Sequence, residues 1–275
     1  MSRITLKVDV DTLRGTREGV PALQQLLDRH QARATFLFSL GPDNTGRALR
    51  RVFRPGFLKK VSRTSVVEHY GLKTLSYGVL LPGPDIGKKA AAEMRAISDA
   101  GHECGIHTWD HVEWHDQVRT RDPVWTLQRM QQSYDRFGEI FGYAPKTHGA
   151  AGWQMNETAI RQLDLWGMQY ASDGRGSAPY FISLDGQPCQ HMQLPTTLPT
   201  LDEVLGVDGL NVDNVHEHLL GLTDPNRHGP RDHVFTLHAE LEGQKLAPIF
   251  DRLLTGWRQQ GHALGTMGDY HATLS

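Results

Sequence analysis

Apolar and polar residues alternate at the start of the chain: Ile4, Leu6, Val8 and Val10 are interleaved with Thr5, Lys7, Asp9 and Asp11. A period of two predicts a β-strand with one buried face, and it puts both carboxylates on the same side. A turn over Gly15 to Gly19 follows, and Pro21 precedes Leu23, Leu26 and Leu27 at helical spacing. The apolar run Ala34 to Phe38 predicts the second strand. Further strand-then-helix units fall at 102–107 with 124–141, 146–151 with 156–167, a strand at 168–173, then 233–238 with 245–260, and a last strand at 262–267. This alternation predicts an α/β fold with a largely parallel sheet. About seven strands in one continuous chain favour a closed or nearly closed (β/α) barrel, read as a single domain over residues 1–275.

In such barrels the chemistry gathers at the C-terminal ends of the strands. Asp9, Asp11, His107, His148, Asp173 and His238 all fall at such ends. In the segment His107 to His111 two imidazoles lie four residues apart, the spacing that lets side chains on one side of a helical turn share a cation. A third ligand then comes from Asp11 or Asp9, because two histidines and one carboxylate leave an open position on a divalent ion. The other carboxylate is left as a general base, and His238 closes an apolar strand where it can protonate a leaving amine. With 15 histidines in the chain the spacing also arises by chance, and His111 and His115 share it. No glycine-rich phosphate loop follows the first strand, which disfavours a dinucleotide domain.

Composition narrows the picture. The 275 residues are 39% hydrophobic before 28 glycines are added, which excludes a disordered or collagen-like chain. Cys104 and Cys189 are the two cysteines, too few for a disulfide scaffold, and they suit a reducing compartment. Charges interrupt the first nine residues where a secretion signal needs an apolar core, and no window has the roughly 18 apolar residues of a membrane span. Membrane contact is therefore expected to be peripheral.

The runs Val8 to Asp11, Ala34 to Phe38, Gly101 to His111 and Thr236 to His238 resemble, in order, the signature blocks of the polysaccharide deacetylase (NodB-homology) family. The resemblance implies an irregular NodB-like (β/α) barrel. It assigns Asp9 as general base, Asp11, His107 and His111 as ligands of one divalent metal ion (Zn, Co or Mn), and His238 as general acid. The third block implies a backbone N–H near Ala151 as oxyanion donor, with the small residues Gly149 to Gly152 letting the main chain approach the substrate. Two departures stand out. Val10 separates two aspartates that are commonly adjacent, and His148 lies near the place of an arginine that orients the base. Arg175, in the segment 172–176 beside Asp173, is the expected replacement.

Longer runs, including Val8 to Pro21, Gly41 to Asn44, Ala150 to Trp153, Leu198 to Val204 and His238 to Gly243, resemble deformylases within that family. They imply a substrate of 4-deoxy-4-formamido-L-arabinose carried on undecaprenyl phosphate, a pocket closed by Trp153, and a place in lipid A modification and polymyxin resistance. They also imply work at the cytoplasmic side of the bacterial inner membrane.

The formal net charge of −2 conceals a lopsided insertion over about 41–87, after the second strand. Between Arg47 and Lys73 eight lysines and arginines stand against Glu68 alone, a local charge of +7, with Leu49, Val52, Phe53, Phe57, Leu58 and Val61 interleaved. At about 1 kcal/mol per basic residue near an anionic membrane, such a segment suits peripheral docking, although charge runs are commonly solvated faces. The alternatives are a deacetylase of soluble or cell-wall polysaccharide and a nucleic-acid-binding module. The second is disfavoured because the remaining chain is net acidic and the stretch has few stacking rings.

Overall fold

The computed structural model describes residues 2–48 and 73–274. Strand β1 (Arg3–Val10) lies inside a curled, mostly parallel sheet, flanked by β2 (Thr35–Ser39) and by β8 (His233–His238). The sheet continues through β3 (Glu103–Thr108), β4 (Thr147–His148) and β5 (Tyr170–Ala171) to β7 (Gln187–Gln193) and β6 (Tyr180–Leu184), while β9 (Ala263–Gly265) pairs with the start of β1. The seven expected strands correspond to β1–β5, β8 and β9. The hairpin β6–β7 is an addition, turned by Asp185 and Gly186, both with positive φ. Asp-Gly at such a turn is a strong hairpin signal that the strand-then-helix reading passed over.

The barrel does not close by a continuous ladder, so of the closed or nearly closed forms expected it is the nearly closed, irregular one. Between β5 and β8 the chain after β7 fills the gap with single bonds: Leu194 N donates to Ala171 O, and Thr197 N to Val234 O. The Thr196 and Thr236 hydroxyls meet at 2.7 Å.

Both faces of β1 are covered, which corrects the expectation of one buried face. Ile4, Leu6, Val8 and Val10 are fully buried, and so are Thr5 and Lys7 on the opposite face. The apolar face packs on helices. These include Val20–Arg29, entered through a wide π turn at Gly15–Gly19, and Ala247–Gln259, whose Trp257 and Phe250 pack on Phe235 of β8. The polar face lines the bowl inside the curled sheet.

The longest helix, Pro123–Phe141, starts where Asp122 accepts from Trp125 N at 2.9 Å and stops at left-handed Gly142. The roots of the insertion are clamped to the bowl's rim: Ile86 N donates to Gly41 O, Asp43 N to Pro84 O, and Leu13 N to Asp43 Oδ2 at 3.0 Å. Most of its basic stretch, residues 49–72, lies outside the described residues. Both cysteines are buried and free. Among the described residues no helix is long and apolar enough to cross a membrane.

Candidate active site

The C-terminal end of β1 carries Asp9 and, one residue past the strand, Asp11. Both are almost fully buried. His107 is on β3, and His111 opens the helix His111–Gln117 capped by Asp110, whose side chain accepts from Glu113 N at 3.0 Å. The two histidines thus do not share a helical turn, contrary to the spacing argument. Instead, Asp110 adopts an extended conformation, and the chain swings from strand to helix so that the rings stack 5.4 Å apart.

One ligand atom from each of Asp11, His107 and His111 lies within 4.8 Å of the others. Asp11 Oδ1 is 3.2 Å from His107 Nε2, and Asp11 Oδ2 is 3.5 Å from His111 Nε2. His107 Nδ1 sits 2.6 Å from the Gly149 carbonyl oxygen, which can only accept, so Nδ1 carries the proton and Nε2 offers its lone pair. Buried Asp11 Oδ1 and His107 Nε2 have no hydrogen-bond partner among the described residues. A carboxylate and two imidazoles converging with unsatisfied donor atoms fit a divalent cation.

Two shifts report the negative charge that the carboxylates concentrate here. Burial alone would raise the Asp11 carboxyl, but His111, His107 and His238 pull it well below the usual carboxylate range. His107 is raised: burial opposes its charge, and Asp9 and Asp11 override that.

Asp9, Asp11, His107, His111, Trp153 and His238 line one cavity of ≈ 240 Å³. Its other walls are Gly152, within the small-residue run expected to lie near the substrate, and His115, Thr200, Asp202 and Glu203, to which the sequence assigned no role. Gly152 holds φ +59°, and a Cβ there would lie 1.8 Å from the His115 ring, so only glycine lets this wall form. His238 is half-buried, with its Nδ1 out of reach of solvent. Burial would lower it, yet Asp202, Asp11, Glu242 and Asp9 together push it up to about 9.

Two further carboxylates brace the main chain. Glu240 Oε1 accepts from Asp11 N at 3.1 Å and from Thr12 N and Oγ1 at 2.8 Å, and burial followed by Asp11 repulsion pushes it up to about 8. Glu242 Oε2 accepts from His238 N at 2.8 Å, and burial pushes Glu242 up to about 7. The signal for both was two acids directly after an apolar strand.

The other expected residues sit elsewhere. Ala151 is fully buried on the loop behind the Gly152–Trp153 wall. Asp173 pairs with His148 at 2.6 Å and accepts from Ala150 N at 2.8 Å, anchoring that loop from behind, outside the cavity lining. Arg175 does not meet Asp9. Its Nη1 reaches Glu203 Oε1 at 2.8 Å, Nη2 reaches Leu198 O at 3.0 Å, and its guanidinium covers the Trp153 ring at 4.7 Å. The cation at Asp9 is Lys7, with Nζ 3.1 Å from Oδ2.

An aspartate–histidine–histidine cluster at the mouth of a curled parallel sheet, with a further carboxylate and a histidine in the same cavity, fits a metal-assisted hydrolase. The family model of polysaccharide deacetylases matches residues 3–171, and the chain belongs to that family. It is similar to a protein of Shewanella sediminis (strain HAW-EB3) named a probable 4-deoxy-4-formamido-L-arabinose-phosphoundecaprenol deformylase, ArnD. Identity there is 37% over 254 residues, covering 92% of this chain and 81% of that one. A protein of the same name from Wigglesworthia glossinidia brevipalpis is 32% identical over 87% of this chain and 82% of its own. Among solved structures, a Mycobacterium smegmatis protein of the polysaccharide deacetylase type superposes with a TM-score of 0.66 at 16% identity, covering 99% of this chain and 89% of that one. That likeness concerns the fold.

Proposed function

We propose that the protein hydrolyses the N-formyl group of undecaprenyl-phosphate-linked 4-deoxy-4-formamido-L-arabinose, releasing formate and the 4-amino sugar lipid. This is a step toward lipid A modification and polymyxin resistance. The observation that carries the reading is the convergence of Asp11, His107 and His111 ligand atoms in a sugar-sized cavity that Asp9 and His238 also line. The two deformylases similar along most of the chain supply the substrate.

The donor set suits Zn, Co or Mn, and a divalent ion held there would polarise the formyl carbonyl as a Lewis acid. Asp9 takes a proton from the attacking water. A backbone N–H near Ala151 steadies the oxygen as it gains charge. His238 gives its proton to the nitrogen as the C–N bond breaks, so one amide and one water yield one carboxylic acid and one amine. Trp153, held under Arg175, lines the pocket, which prefers formyl as the smaller of the two acyl groups.

The polyprenyl chain lies outside such a cavity. Val79, Leu80 and Leu81 are exposed on the returning limb of the insertion, and in the sequence they follow its basic stretch, which ends at Lys73. Apolar residues beside cationic ones suit a peripheral dock on an anionic membrane at the cytoplasmic side. One assay tests the reading: formate or acetate release from formylated and acetylated forms of the sugar lipid, in vesicles with and without anionic lipid. Formate release that is faster with anionic lipid and falls with salt is expected. Preference for acetyl favours the polysaccharide deacetylase alternative, and indifference to anionic lipid counts against the dock.

A further inference from the structure

Lys7, Asp9 and Asp11 stand at alternate positions of β1 and its exit, so their side chains project to the same face, into the bowl. The Lys7 side chain is completely buried. Its Nζ makes a single hydrogen bond among the described residues, to Asp9 Oδ2 at 3.1 Å. The stem is enclosed closely: a Cβ on Gly149 would fall 2.9 Å from Lys7 Cε, and the Trp153 ring centre is 5.8 Å from Nζ. Lysine is almost never fully buried unless paired, and a buried ion pair adds little stability over well-packed apolar side chains. Stability alone therefore does not explain it.

The pair is also lopsided. Asp9 Oδ2 is tied to Lys7, whereas buried Oδ1 has no hydrogen-bond partner among the described residues and stands 3.9 Å from His107 Nδ1. We propose that Lys7 is the positioning residue of the base: through Oδ2 it fixes the Asp9 carboxylate in one orientation and presents Oδ1 to the attacking water. The inference rests on the reading of Asp9 as base. It gives to a lysine on the same strand the task that Arg175, engaged with Glu203 and Trp153, does not perform.

The test compares the metal-loaded wild-type protein with Lys7→Met, Lys7→Arg, Asp9→Asn and the Lys7→Met/Asp9→Asn double variant. The readouts are kcat, KM, bound metal and thermal melting, on whichever N-formyl or N-acetyl sugar amide the wild-type protein turns over. Which acyl group the wild type releases bears on the proposed function, and the ratios between variants bear on Lys7. Lys7→Met should lower kcat about 100-fold, the scale of general-base assistance, with KM within about threefold and the metal retained. Lys7→Arg, still able to donate to Oδ2, should recover about tenfold or more of that loss. In the Asn background Lys7→Met should cost nothing further, because both changes remove one function. Wild-type kcat in Lys7→Met overturns the proposal, as does an equal loss in both backgrounds or an arginine variant no better than the folded methionine variant. Should Lys7→Met not fold, Lys7→Arg decides: kcat above about a tenth of wild type supports the proposal, and a folded variant below that overturns it.

Discussion

Two histidine–carboxylate clusters sit on neighbouring strands at the same end of the sheet, and they differ in how fully their polar atoms are used. In one, His148 and Asp173 meet at 2.6 Å, Ala150 N donates to the same carboxylate oxygen, and Gln193 Nε2 donates to the other at 3.1 Å. Burial would raise Asp173, but His148 and then Gln193 hold it below the usual carboxylate range. In the other, Asp9 Oδ1, Asp11 Oδ1, His107 Nε2 and His238 Nδ1 are buried without hydrogen-bond partners among the described residues. A saturated cluster holds structure together. An unsaturated one, aimed into a cavity, is arranged for something that arrives.

Register explains the difference. Ile106 of β3 pairs with His148 of β4, so these two share a face. With Trp114, Met130, Ser133 and Trp166 they line a small void on the helix side. His107, one residue on from Ile106, points the opposite way, into the bowl.

Replacing each histidine should separate the two clusters. His107→Ala removes a proposed metal ligand and should abolish turnover, a loss of at least about 10³-fold, with modest change in melting. His148→Ala should do the reverse. Removing one partner of a buried pair destabilises by about 3–5 kcal/mol, while activity per folded molecule stays within about tenfold. Unfolding by denaturant and turnover, measured on both variants, check the contrast, and equal activity losses would erase it. Because Asp173 is depressed in the folded state, the pair's stabilisation is present above the ordinary carboxylate range and is lost as pH falls below that range through the lowered folded-state value.

A smaller effect sharpens the unsaturated side. His238 is pushed up to about 9 against the lowering effect of burial, and Asp202 is the largest of the carboxylates responsible. As the acid it must be protonated, so turnover should fall as pH rises through its pKa. Asp202→Asn weakens the support for that proton, and the falling limb of the pH–kcat profile should move to lower pH. An unmoved limb would count against His238 as the acid.

Much of this was legible in the sequence. The seven parallel strands followed from apolar runs alternating with helical patterns, and strand ends located Asp9, Asp11, His107 and His238. Strand ends give height along the sheet but not the face, which is why His148 and Asp173 were grouped with the site. Lys7 stood in the same alternating set as the aspartates, and reading that set as a solvent face hid it. In a curled sheet both faces are interior, so a polar face lines a bowl. Thr200, Asp202 and Glu203 come from a loop far along the chain, and a period-based reading has no means of bringing such a loop over the site. The expectation for Arg175 failed because a nearer carboxylate, Glu203, and the Trp153 ring hold its guanidinium.

The most direct test is metal stoichiometry after loading with Zn, Co or Mn and removal of free ion, measured on the wild-type, His107→Ala and His148→Ala proteins. The account predicts about one tightly held ion per chain in the wild type and His148→Ala, and none in His107→Ala, since one carboxylate and one imidazole do not retain it. An ion retained by His107→Ala, or lost from folded His148→Ala, would contradict it.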